Sequence, residues 1–150
     1  MNTLVTDTQS SFKWFILATA TFVTMLYAMN VTIASIALSD MRGAMGATQD
    51  QISWVVTGNI VATAIFTPFA GWLTSRIQIR TILIFSVLGF IISSIFCGLS
   101  NSLEEIVISR VAQGIFGAPL PPLSQTLVLA AFPVKQRSLA MAIWGMGTIL

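Results

Sequence analysis

The sequence predicts an all-α integral membrane protein with four full transmembrane helices and the start of a fifth. Three observations carry this expectation. First, 55% of the 150 residues are hydrophobic and 8% are charged, against about 25% charged in average soluble domains. That leaves too little polar surface to coat a soluble globule. Second, the apolar residues gather in runs long enough to cross a hydrocarbon core of about 30 Å at 1.5 Å per residue. Third, the few charges fall between the runs in a regular alternation.

Residues 1–13 are polar and read as a cytoplasmic N-terminal segment ahead of a transmembrane domain over 14–150. Lys13 and Trp14 open span 1, about 14–38, which is too long for a signal-peptide core and has no clear cleavage site after it. Span 2 covers about 52–73 and span 3 about 81–99. Span 4 covers about 106–131. A fifth apolar helix opens at 138 and the sequence stops at 150, so the expectation is an incomplete bundle, the front of a larger protein.

The loops set the orientation. The segment between spans 1 and 2 holds Asp40, Arg42 and Asp50, and that between spans 3 and 4 holds Glu104 and Glu105 without a base. The other two carry Arg76 with Arg80, and Lys135 with Arg137, without an acid. Basic loops alternating with loops poor in Lys and Arg are expected to place the N-terminus of a multi-pass membrane protein in the cytoplasm.

Composition also excludes functions. No histidine is present, which removes histidine catalysis, histidine metal sites and histidine proton relays. Cys97 is the single cysteine and reads as a small buried apolar thiol. No phosphate-binding glycine loop and no serine, cysteine or metal constellation appears, so neither an enzyme, a metal site nor a cofactor is expected. The net charge of +2 is too small to suggest nucleic acid.

One charge stands apart. Arg110 lies about a turn inside the outer end of span 4. Exposed to lipid it would cost a few kcal/mol or more. Two placements answer that cost: the bundle interior or a watery cavity, and snorkelling to the outer interface. Gln113 and Gly114 follow at helical spacing and share its face. Pro119, Pro121 and Pro122 lie in the middle of the same span. Each removes a backbone donor, so the helix must kink or unwind there. Broken helices of this kind occur in transporters, and kinked spans also occur in receptors and channels. Met29, Asn59, Thr63 and Gln125 sit at membrane depth and could line a substrate cavity; helix packing is their other reading.

At three places the sequence resembles the major facilitator superfamily. "ISRVAQGIFGA" (108–118) is similar to its span 4 motif R-x-x-Q-G, and "GWLTSRIQIR" (71–80) occupies the loop where it carries G-x-L-a-D-r-x-G-r-k. "LYAMNVTIASIAL" (26–38) resembles the span 1 signature of the EmrB/QacA-type drug/proton antiporters, and the stretch from Pro119 looks most like the EmrB branch. Gly71, Leu73, Arg76 and Arg80 match the loop motif, but Ser75 replaces its aspartate and Gln78 its second glycine. Asn30 stands where the span 1 signature has an aspartate, and Ser39 replaces its proline.

The resemblance implies a secondary active transporter that expels lipophilic toxic compounds in exchange for protons. For an envelope of two membranes it also implies a periplasmic membrane-fusion adaptor. Within it Arg110, Gln113, Gly114 and Asn30 would belong to the proton-coupling region, and the loop residues to a cytoplasmic gate or to topology anchoring. The residues limit these roles. The five acids, Asp7, Asp40, Asp50, Glu104 and Glu105, all lie outside mid-span positions, and arginine stays protonated. The proton-carrying acid is therefore expected outside these 150 residues. A small self-assembling or accessory four-span protein, or an inactive truncated remnant, are the alternative readings.

Overall fold

The computed structural model describes the backbone of residues 2–46 and 48–149 and the side chains of residues 12–37, 43, 46 and 48–148. The side chains of Asp7, Leu38, Ser39, Asp40 and Arg42, named above, lie outside the described set. The described backbone folds as α1 (Asn2–Met45), α2 (Gln49–Thr74), α3 (Ile79–Leu99), α4 (Leu103–Gly117), α5 (Leu120–Ala131), a 3-10 turn (Val134–Gln136) and α6 (Arg137–Ile149).

Helix starts follow from local chemistry. Thr48 caps α2 in a reciprocal box: the Gln51 amide donates to Thr48 Oγ1 at 3.4 Å, and the Thr48 amide donates to Gln51 Oε1 at 3.0 Å. At α4, Ser102 Oγ accepts from the Glu105 amide at 3.3 Å, and the Glu105 carboxylate reaches back to the Asn101 amide at 2.8 Å. Glu104 and Glu105 thus lie in the first turn of α4, where acids favour the positive end of the helix dipole.

Among the described residues three helices are long and apolar enough to cross a membrane: Phe12–Ala37 within α1, α2, and α3. Only 17% of the apolar window of α3 is buried by protein, and Phe85, Ile92 and Phe96 stand exposed on it. Apolar surface of that extent requires a lipid neighbour. The fourth apolar run is interrupted. α4 closes at Gly117, where the Ala118 amide still donates to Gly114 O at 2.9 Å, and α5 resumes at Leu120. Pro119 has no amide hydrogen with which to continue the ladder.

The chain divides into two compact units, Met29–Leu120 and the pair Met1–Ala28 with Pro121–Leu150. In Met29–Leu120, α4 packs against α2 and α3. Ile52, Val55 and Ile106 form a buried cluster there, with Cys97, Leu103 and Val107 against it. Cys97 is half-buried at the cluster's edge, which corrects the expectation of a buried thiol. In the other unit Leu17, Ala20, Val128, Phe132 and Ala140 form the core, and Trp14 meets Phe132 edge-on at 5.6 Å.

Candidate functional site

Within Met29–Leu120, α4 carries a half-buried Arg110 and a buried Gln113. The spacing of three residues puts both on one face, and Arg110 Nη1 donates to Gln113 Oε1 at 3.0 Å. The same Nη1 donates to Asn30 Oδ1 of α1 at 2.7 Å. Gln113 is 1% exposed, so its amide has no solvent to turn to and needs protein partners at both ends. Its Nε2 donates to Ser94 Oγ of α3 at 2.6 Å. A continuous polar path therefore runs Asn30, Arg110, Gln113, Ser94 through α1, α4 and α3.

A second set of bonds ties α2 to the same segment of α4. Asn59 Nδ2 donates to the Arg110 carbonyl at 2.9 Å, and Thr63 Oγ1 donates to the Gly114 carbonyl at 3.4 Å. Asn59 is 7% exposed. Of the two readings given for these residues, the bonds are those of helix packing: Asn59 Nδ2 and Thr63 Oγ1 both meet the backbone of a facing helix. The close approach depends on Gly114. A Cβ there would lie 2.5 Å from Asn59 O and 2.9 Å from the Ala62 Cβ, so no larger residue fits without parting the helices.

Arg110 is half-buried. Its two side-chain partners are amide oxygens, and its Nε is buried without a hydrogen-bond partner. A guanidinium held by neutral acceptors favours an anion that comes within reach. A neutral amide at position 30 keeps that field unquenched, where a carboxylate would have cancelled it.

The remaining expected positions fall elsewhere. Met29 is 41% exposed, next in sequence to Asn30. Gln125 is exposed on α5. Pro121 and Pro122 lie in the first turn of α5, where a missing amide hydrogen is tolerated, and Pro119 lies in the gap before it. In the loop motif, Ser75 caps the end of α2 and donates from Oγ to the Trp72 carbonyl at 2.6 Å. Arg76 lies 5.6 Å over the Trp72 ring. Gly71 has nothing within 4 Å of a Cβ built on it, and Leu73, half-buried, is in the last turn of α2. Arg80 is exposed in the first turn of α3.

Ser94 is the site residue that sequence reasoning missed. The available signal was the Ser93–Ser94 pair in an otherwise apolar stretch of span 3. The two serines behave differently: Ser93 bonds back to the Gly89 carbonyl of its own helix at 2.8 Å, and Ser94 faces Gln113. Among the described residues no group of three or more His, Cys, Asp or Glu could hold a metal ion.

The Major Facilitator Superfamily profile matches residues 20–150. The chain is 40% identical over 127 residues to the multidrug export protein EmrB of Escherichia coli (strain K12), covering 85% of this chain and 25% of that protein. It is 40% identical over 134 residues to the probable multidrug resistance protein EmrY of the same strain, covering 89% and 26%. It is 37% identical over 122 residues to the fatty acid resistance protein FarB of Neisseria gonorrhoeae, covering 81% and 24%. The chain thus spans about a quarter of the length of these curated relatives. Its apolar helices and this match over most of its length mark a multi-pass membrane protein, and the chain belongs to the Major Facilitator Superfamily.

Proposed function

We propose that this chain forms the N-terminal part of a proton-coupled exporter of lipophilic compounds in the inner membrane, with its N-terminus in the cytoplasm. The observation that carries the reading is the Asn30–Arg110–Gln113–Ser94 path, which joins three helices around a membrane-embedded cation. Relatives named for multidrug export and for fatty acid resistance support lipophilic compounds as the substrate class. The EmrB likeness supports a periplasmic membrane-fusion adaptor as partner. The alternation of basic loops supports the orientation.

Within this reading Arg110 is an electrostatic partner and the proton is carried elsewhere. A guanidinium keeps its proton under working conditions. What it can do is stabilise the charged form of a carboxylate brought near it, lowering the pH at which that acid loads its proton. The acid is not among these 150 residues, whose carboxylates all lie outside mid-span positions.

The test is proton-driven dye efflux in everted vesicles. The transporter that contains this stretch should extrude a lipophilic dye when the proton gradient is imposed and stop when it is collapsed. Arg110→Ala should remove most of that activity. Efflux that is indifferent to the gradient overturns the coupling, and efflux unchanged in Arg110→Ala overturns the role of Arg110. Vesicles holding the 150-residue polypeptide alone should match empty ones.

A further inference from the structure

A second feature of Met29–Leu120 lies away from the Arg110 path. At the α2–α3 loop end, α2, α3 and α4 leave a cavity of about 430 Å³ between them. Its wall includes five aromatic rings, Phe66, Phe69, Trp72, Phe85 and Phe116, together with Pro119. Thr81 and Ser86 are the only polar side chains in the lining. Phe116, one of these rings, packs onto Gly89 of α3, where a Cβ would collide with the ring. Apart from those two hydroxyls the wall is apolar, and the volume lies in the range of small-molecule pockets.

The rim differs from the wall. Trp72 lines the slot and carries the Arg76 guanidinium 5.6 Å from its ring. Ile77 and Thr81, also lining residues, lie on either side of the start of α3, whose first turn carries Arg80. Arg76 and Arg80 are both exposed, and residues 74–81 contain no acid. The one residue that could have supplied a carboxylate by family pattern is Ser75, and its hydroxyl is committed to the Trp72 carbonyl. An apolar slot bordered by the Trp72 ring that carries Arg76 and by the start of α3 that carries Arg80, next to a loop with no acid, is complementary to an acyl chain joined to a negative headgroup. Basic pockets between transmembrane helices take anionic lipids by this complementarity.

We propose that this slot holds an acyl chain of an anionic phospholipid whose headgroup rests on Arg76 and Arg80. The site binds lipid whether or not the protein exports anything. With the orientation proposed above, the lipid comes from the cytoplasmic leaflet. Lipid occupancy would fix the end of α2 against the start of α3, using the cations that lack an acidic latch partner in the loop.

The test uses the purified chain in phosphatidylcholine nanodiscs doped with phosphatidylglycerol or phosphatidylcholine bearing brominated acyl chains. Bromine quenches nearby tryptophan, and the difference between the parent and Trp72→Phe isolates the signal of Trp72. Brominated phosphatidylglycerol should quench Trp72 with a relative affinity roughly 30-fold above brominated phosphatidylcholine, the size expected from two arginines at a membrane surface. The preference should fall close to unity in Arg76→Gln/Arg80→Gln. Both positions are exposed, so that variant should retain its helical circular dichroism. Equal quenching by the two lipids overturns the proposal, as does a preference that survives the double substitution. Displacement of the phosphatidylglycerol by free oleate at lower concentration also overturns it, reassigning the slot to a free carboxylate. No transport enters the readout, so its failure is separable from failure of the efflux reading.

Discussion

Arg110 Nη1 donates to Asn30 Oδ1 at 2.7 Å, joining positions eighty residues apart. The acceptor is neutral, and so is the other acceptor of the same nitrogen, Gln113 Oε1. The bond therefore orients the guanidinium without cancelling its charge. Asn30→Asp should keep the geometry and add the missing counter-charge, because an arginine–carboxylate bond is shorter and stronger than one to an amide. Asn30→Leu should remove the acceptor and cost about 1.5–3 kcal/mol, the range for hydrogen bonds to charged groups. Thermal melts of the purified protein in mild detergent should rank Asn30→Asp at or above the parent and Asn30→Leu below it. A leucine variant that melts with the parent would show that the bond carries no stability.

Two glycines that both belong to family motifs should respond in opposite ways. Gly114 faces α2, where an added Cβ would lie 2.5 Å from Asn59 O. Gly114→Ala should therefore push α2 and α4 apart, weaken the Asn59 and Thr63 bonds, and cost about 1–3 kcal/mol. Gly71 has open space around it, and Gly71→Ala in the same helical backbone should be neutral or stabilising by about 0.5–1 kcal/mol. The paired melts check packing against propensity directly, since the substitution is identical in both.

The Gln113–Ser94 bond is suited to a double-mutant cycle. Gln113→Leu removes an acceptor from Arg110 and a donor from Ser94, and should be the most damaging single change in the path, at about 2–4 kcal/mol. Ser94→Ala should cost less, because Gln113 keeps its bond to Arg110. The coupling between the two positions should be about 0.5–1.5 kcal/mol, the scale of interhelical hydrogen bonds in membranes. Zero coupling would mean that the 2.6 Å contact does not contribute to the folded state.

What the sequence made legible and what it left hidden divide along a physical line. Intrahelical relations could be read: Arg110 with Gln113 follows from a spacing of three, and the interruption before Leu120 follows from the missing amide of Pro119. Apolar runs could be read because lipid imposes their length. Interhelical relations could not. Nothing in the spacing of Asn59 and Thr63 reveals whether they face a cavity or the α4 backbone, because that depends on a helix some fifty residues away. Ser94 was hidden for the same reason, since its value lies in which of two adjacent serines faces Gln113. The loop arginines were legible as charges, but the aromatic slot beside them was not, since its rings come from three separate helices.

The proposed orientation can be checked with single cysteines. Cys97 is the only native one and is half-buried beside Ile52, Val55 and Ile106. Cys97→Ser should cost no more than about 1 kcal/mol, since a partly exposed residue of similar volume loses little packing. In that background Asn101→Cys, at the exposed α3–α4 turn, and Gln78→Cys, at the exposed start of α3, lie on opposite sides of one span. A charged, membrane-impermeant maleimide added to whole cells with a permeabilised outer membrane should label Asn101→Cys. Gln78→Cys should react only after the inner membrane is opened. The basic pair Arg76 and Arg80 brackets Gln78, and Glu104 and Glu105 follow Asn101, so the labelling reads the charge asymmetry on which the topology rests. Labelling of Gln78→Cys in intact cells, with Asn101→Cys protected, would invert the topology. It would also move the lipid slot between α2 and α3 to the outer leaflet.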